Sequence, residues 1–191
     1  RHMTGRDFDE APYRTGYIDA DPVLEVRGAT VTGAFADASL TVRPGEILGI
    51  TGLLGSGRTE LAMSLFGMIP LDAGTVAVAG REVPLRGVRD AITAGIAYVP
   101  EDRLTEGLFL SRSIGENITI AEMDAFTHYL GFVDKEAIRA EEKRWVERLG
   151  VVTPDPASAV NTLSGGNQQK VVLAKWLATK PSVLILNGPT V

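Results

Sequence analysis

The first chemistry in the chain lies in Gly52-Leu53-Leu54-Gly55-Ser56-Gly57-Arg58-Thr59. Glycines at these spacings let a backbone curl until successive N–H groups point inward at phosphate oxygens, and a helix that starts there adds positive potential. The flanks fit such a cradle: Glu46–Ile50 reads as a strand buried on both faces, and a helix pattern runs to about Phe66, ended by Gly67 and Pro70. Thr59 offers a hydroxyl to a Mg2+ ion, with Glu60 beside it. Arg58 departs from the pattern. A Lys at that place is a compact charge that folds back over phosphates, and the longer planar guanidinium does not substitute cleanly. Taken alone, these residues also suit a strand–helix turn that binds nothing.

A second anion-type segment is Leu163-Ser164-Gly165-Gly166-Asn167-Gln168-Gln169-Lys170. Ser164 is placed to cap a helix, and two glycines at a fresh helix N-terminus again suit phosphate. Alone, this is a well-capped helix start. Two shorter stretches complete the set: Tyr98-Val99-Pro100-Glu101-Asp102-Arg103 after an apolar run, and Val183–Thr190, an apolar run ending in Asn187-Gly188.

The elements that must carry these residues alternate along the chain. Val23–Val26 and Ala38–Val42 read as short strands, Gly74–Ala79 as a hairpin strand closing at Gly80-Arg81, and Ile96–Val99 as a buried strand. Val88–Ala94 reads as a short helix, followed by a charged loop over Pro100–Arg112. Ser113 and Glu116 form a capping box for a helix to about Ala121. Asp134 caps another to Leu149, with Ile138, Trp145, Val146 and Leu149 on its apolar side. A last helix spans about Ser164–Thr179, before the strand Val183–Leu186. This alternation predicts an α/β fold with a mainly parallel sheet and a helical insertion between Pro100 and Asn161.

Composition removes several classes of function. The chain has 191 residues, no Cys, 45% hydrophobic and 23% charged residues, and a net charge of −5. No disulfide framework or thiolate metal site is available, and no apolar run approaches the roughly 20 residues of a membrane span. The acidic balance argues against nucleic acid as a partner. The residues to Pro22 read as a linker, with Arg1-His2-Met3 as a tag remnant and no signal-peptide core. His128 reads as an ordinary surface residue.

Together and in this order, the four stretches resemble the P-loop, Q-loop region, signature and Walker B strand of the ATP-binding-cassette (ABC) ATPases. The resemblance runs from about Val23 to the end of the chain. GLLGSGRTE, YVPEDR and LSGGNQQK narrow it to the second cassette of tandem monosaccharide importers of the ribose, xylose and galactose type. It implies a P-loop NTPase fold with an antiparallel β subdomain, an inter-cassette linker over 1–22, and a cassette over 23–191 with a helical subdomain at about 101–162. The cassette is then incomplete after the Walker B strand, which leads us to expect uncovered apolar surface and self-association.

The resemblance also implies ATP and Mg2+. Gly52, Gly55, Ser56, Gly57, Arg58, Thr59 and Glu60 would serve the chain's own nucleotide, and Ser164, Gly165, Gly166 and Gln168 the nucleotide of a partner cassette. Thr59 and Glu101, the latter at the family's glutamine position, would face the metal. Implied partners are a second cassette, membrane-spanning permease subunits and a periplasmic or extracellular sugar-binding protein, with the chain on the cytoplasmic face of the plasma membrane. Asn187 and Gly188 stand where the family has Asp-Glu, so no intact catalytic pair is expected, and an aromatic for adenine is missing near Ala29–Val31. The expectation is a sugar-import ATPase half with a degenerate site of its own. The alternative is a non-catalytic, regulatory or structural cassette. Coiled-coil DNA-repair ATPases share a signature, but the stretch from Glu101 to Leu163 has no sustained heptads.

Overall fold

The computed structural model describes residues 20–128 and 131–188. The expected linker therefore falls almost wholly outside the described residues, as do Pro189 and Thr190. Strands β1 (Leu24–Val31), β2 (Phe35–Val42), β3 (Ala73–Val78) and β4 (Arg81–Glu82) form an antiparallel sheet in the order β2-β1-β3-β4. Alternation builds its inner face: Leu24 lies opposite Val78 and Val26 opposite Val76, all buried. The period breaks at Gly28, φ +59°, where β1 slips in register against both neighbours. That bulge turns Ala29, an odd step from Val26, toward the core as well. Gly74, φ +94°, fits against it because a Cβ there would stand 2.5 Å from the Ala29 nitrogen.

Strands β5 (Ile96–Val99) and β6 (Val183–Leu186) pair in parallel, from Ile96 on Val183 to Val99 on Leu186. Every residue of β5 is buried, as its unbroken apolar run requires. Helices α2 (Val88–Thr93) and α5 (Gly165–Ala178) pack on it. Phe66, which ends α1 (Arg58–Leu65), stacks on Tyr98 of β5 at 5.4 Å and meets Trp176 of α5 edge-on at 5.1 Å. These rings join the helix behind the glycine-rich loop to the strand and the helix that carry the other motifs.

The capping box before α3 (Ile114–Thr119) is complete: Ser113 Oγ accepts from the Glu116 N–H, and the Glu116 carboxylate accepts from the Ser113 N–H. Ile114 and Ile118 are fully buried where α3 packs on α4 (Lys135–Arg148) and α5. Asp134 caps α4 as its sequence predicts, and Trp145 is the buried anchor of its apolar side.

One expected element is absent. Residues 46–50 form no strand, and Ile47, Leu48 and Ile50 are exposed, Ile47 by 68%. A strand exists only through ladder bonds to a neighbour. Among the described residues β5 pairs with β6 alone, and no strand runs beside 46–50. An apolar run marks a segment that burial would stabilise but does not supply the partner. For the same reason the parallel ladder among the described residues is the β5–β6 pair.

One buried carboxyl gives a stability prediction. Glu122, in the 3-10 turn Ile120–Phe126, has a buried oxygen with no hydrogen-bond partner among the described residues. Burial, then the nearby Glu141 charge, push its carboxyl up to about 7. The folded chain thus holds a proton that the unfolded chain releases. This contribution is complete below the ordinary carboxylate range and is lost as pH rises through about 7. Glu122→Gln is expected to raise Tm by about 2 °C at pH 8 and to leave it unchanged at pH 4, read from a melting series across that range.

Candidate functional site

The glycine-rich loop is held by its own backbone. Ser56 N–H donates to the Leu53 carbonyl at 3.0 Å, and Gly55 and Gly57 adopt φ of +78° and +82°. Gly57 is the left-handed N-cap of α1 and offers no capping side chain, so the first N–H groups of the helix point outward unclaimed by a cap. It is also a close-approach glycine: a Cβ would lie 2.5 Å from the Ala34 carbonyl oxygen and 2.9 Å from the Phe35 Cβ. Arg58 turns back on the loop, its Nη1 donating to the Gly52 carbonyl at 2.8 Å. One of the five guanidinium donors is thereby taken by the chain's own backbone. Thr59 and Glu60 are half-buried at the start of α1, and Leu53 and Leu54 are exposed.

At the second segment Ser164 occupies the N-cap of α5, but its hydroxyl caps no backbone N–H. It accepts instead from Asn167 Nδ2 at 3.1 Å, while Asn167 Oδ1 accepts from the Val152 N–H at 3.0 Å. The expected serine cap is replaced by a side-chain clasp, since Asn167 reaches the hydroxyl first. Gly166 is exposed, with nothing within 4 Å of a Cβ placed on it. Gln168 is turned inward, its amide facing the Val160 carbonyl at 3.5 Å and Arg103 Nε at 3.5 Å. Gly165 is covered by Arg103, whose Nη2 would stand 2.7 Å from a Cβ there.

The parallel pair brings a third group together at the carboxyl ends of its strands. The Asn187 N–H continues the ladder to the Val99 carbonyl at 2.9 Å, and Asn187 Nδ2 donates to the Tyr98 hydroxyl at 3.1 Å. Burial pushes the Tyr98 phenol above its ordinary range, so it stays a neutral partner. The exposed Glu101 leans over Gly188, its Cγ 3.0 Å from where a Cβ would sit. Gly188 itself has φ +55°. Among the described residues no hydrogen bond joins the 52–59 loop to the 164–168 segment.

A model of the family described as ABC transporter matches residues 35–191. The chain belongs to this family. It is 46% identical over 190 residues to a ribose import ATP-binding protein of Streptomyces avermitilis, covering 100% of this chain and 37% of that protein. A ribose import ATP-binding protein of Bacillus subtilis is 41% identical over 191 residues, with 100% and 38% covered. A putative ribose/galactose/methyl galactoside import ATP-binding protein of Agrobacterium fabrum is 42% identical over 189 residues, with 98% and 37% covered. The chain spans a little over a third of the length of these curated relatives.

Among solved structures, a nucleotide-free ATP-binding cassette from an ABC transporter has a TM-score of 0.73 at 19% identity, covering 90% of this chain and 70% of that one. A dimeric post-hydrolysis cassette bound to ADP and Pi has a TM-score of 0.71 at 20% identity, covering 87% and 74%. The fold of this ABC transporter chain is therefore that of an ATP-binding cassette.

Two contacts of the cassette escaped the sequence reading, one of them made by Arg103 of the quoted YVPEDR stretch. Phe35 supplies an aromatic at the loop, just beyond the stretch where one was sought, and only the hairpin turn between β1 and β2 brings it to Gly57. Arg103 lies on the first residue of α5, a contact between segments far apart in the chain that no local pattern announces. For a cation, the oxygens on offer are the Thr59 hydroxyl, the Asn187 amide and the Glu101 carboxylate. Among the described residues no cluster of three or more His, Cys, Asp or Glu side chains is placed to hold a metal. Mg2+ bound through one carboxylate and the nucleotide's phosphates suits this donor set; Mg2+ held by protein alone does not.

Proposed function

We propose that this chain is part of the ATP-binding subunit of a carbohydrate ABC importer of the ribose type, and that it presents Ser164–Gly166 to the nucleotide of a partner cassette while its own site is degenerate. The relatives named above support the importer reading. The observation that carries the asymmetry is the contrast between two anion sites. Gly166 is open at the head of a long helix, whereas Arg58 is tied to the Gly52 carbonyl.

The chemistry follows from what each residue can do. In the partner-facing site the free N–H groups opening α5 and the Ser164 hydroxyl meet a terminal phosphate, with the helix end adding positive potential. In the chain's own site the 52–57 backbone receives phosphate oxygens, and Phe35 offers a face for the base. Thr59 and Glu101 would hold Mg2+, which when bound neutralises charge on the phosphates. In-line attack needs a base for the water, and neither the neutral Asn187 amide nor Gly188 supplies one. The outer face of the Glu101–Arg112 loop and the helices after it is the surface proposed for the permease subunits. A sugar-binding protein completes the complex on the far side of the membrane. Among the described residues no helix is long and apolar enough to cross a membrane.

Titration of the full-length protein with a fluorescent ATP analogue and Mg2+ tests this reading. Arg58→Ala is expected to change the affinity of this site less than about threefold, and Arg58→Lys to tighten it about tenfold. A loss of more than tenfold in Arg58→Ala means that the guanidinium already holds phosphate, and the degenerate reading then fails. Asn187 and Gly188 also favour a second reading, a regulatory or structural cassette. Under that reading the partner cassette leaves the titration unchanged.

A further inference from the structure

The short turn Arg103–Gly107 follows β5 and is wound as a π-helical turn. It is stiff in itself: the Asp102 carboxylate accepts from the Leu104 N–H at 2.8 Å and the Thr105 N–H at 3.4 Å. Just beyond it, the buried Asn117 of α3 grips Phe109 from both sides, accepting from its N–H at 2.8 Å and donating to its carbonyl at 3.1 Å.

This turn is fastened to α5 at two levels. At its start, Arg103 lies on Gly165 and reaches the Gln168 amide. At its end, Gly107 is buried against the helix, where a Cβ would stand 3.1 Å from Val172 Cγ2. The Gly107 carbonyl accepts a hydrogen bond from the Lys175 ammonium. Lys175 is only 5% exposed and has no ion-pair partner among the described residues. The ammonium also lies 5.0 Å from the centroid of the Trp176 ring. Burying an unpaired ammonium is costly, and burial pulls its pKa down to about 8. The bond that offsets it is the one to the turn.

We infer that Arg103 and Lys175 are positioning residues that clamp the Arg103–Gly107 turn to α5, so that the turn and the Ser164–Gly166 segment move as one body. The exposed outer side of the turn, with Leu104 and Glu106, then acts as a handle on the phosphate-facing end of α5. A partner that pushes on the handle moves the signature without touching nucleotide. This inference rests on the proposed function for its consequence, though not for the clamp itself.

Hydrogen exchange on the full-length protein tests the clamp, and ATPase assays of the reconstituted importer test its consequence. Arg103→Ala and Lys175→Met are each expected to speed exchange at 104–107 and at 168–170 by a common factor of about ten. That is the change expected when one hydrogen bond to a charged group is lost from an opening equilibrium. Exchange in α3 stays as it was. Permease stimulation of ATPase falls about tenfold with the KM for ATP unchanged, and Lys175→Arg, which keeps a donor for the Gly107 carbonyl, restores it. Acceleration in one segment alone, or by the same factor in α3, overturns the clamp. Joint acceleration with undiminished stimulation leaves the clamp standing and overturns the handle, while the reading that α5 serves a partner's nucleotide falls separately, if Gly166→Asp leaves uptake intact.

Discussion

Under the proposed function, Gly166→Asp in the full-length protein is expected to abolish sugar uptake, by about a hundredfold or more, without lowering the melting temperature. Two observations make this a clean test. A Cβ at position 166 meets nothing within 4 Å, so the substitution disturbs no packing. The position also lies in the first turn of α5, where a carboxylate is favourable to a helix by about 0.3–1 kcal/mol. The variant should thus be as stable as the parent or more so. What it damages, under the proposed function, is the reception of an anion: a negative charge now stands where that reading brings a terminal phosphate. Arg58→Ala, by contrast, should lower uptake less than threefold, because its guanidinium serves the Gly52 carbonyl. Uptake of labelled ribose into vesicles, with thermal melts of the purified subunit, measures both. Similar losses from the two variants would refute the assignment of unequal roles to the two sites.

Much of the scaffold behind these sites is local and was therefore legible. The capping box at Ser113 and Glu116, the Asp134 cap and the wholly buried β5 each follow from residues within a few positions of one another. The hairpin of β3 and β4 is also there, but it turns at Ala79-Gly80, one residue before the expected closure at Gly80-Arg81. The misreadings share one cause, a property that belongs to a pair of segments. Residues 46–50 have strand composition but no neighbour to pair with. Ser164 has a capping side chain, but Asn167 claims it. The bulge at Gly28 needs Gly74 opposite it before its purpose is visible. The site divides the same way: both glycine-rich helix starts could be read along the chain, whereas Phe35 beside Gly57 and Arg103 on Gly165 required the tertiary fold.

If the chain's own site is degenerate, as proposed, an acidic pair placed at the end of β6 should not by itself confer hydrolysis. Asn187→Asp with Gly188→Glu is expected to raise this site's own Mg-ATPase by no more than about tenfold, and addition of Glu101→Gln to raise it by about a hundredfold over the parent. Three obstacles stand at position 188, and their sizes decide which matters. The backbone there has φ +55°, which costs a non-glycine residue about 1–2 kcal/mol. A Cβ would press on Glu101 Cγ at 3.0 Å, but Glu101 is exposed and can rotate away for about 0.5–1.5 kcal/mol. Two carboxylates about 4 Å apart near a protein surface repel by up to about 4 kcal/mol, and that term does not relax while both must face the same phosphates. Charge therefore outweighs shape, and a neutral amide at 101 relieves more than a smaller residue would. Turnover is read in a full-length protein whose partner cassette is catalytically silent. If the double variant matches the triple one, the Glu101 charge has no part in keeping the site quiet. If the parent already turns over briskly, water at this site is being activated by a group other than residues 187 and 188.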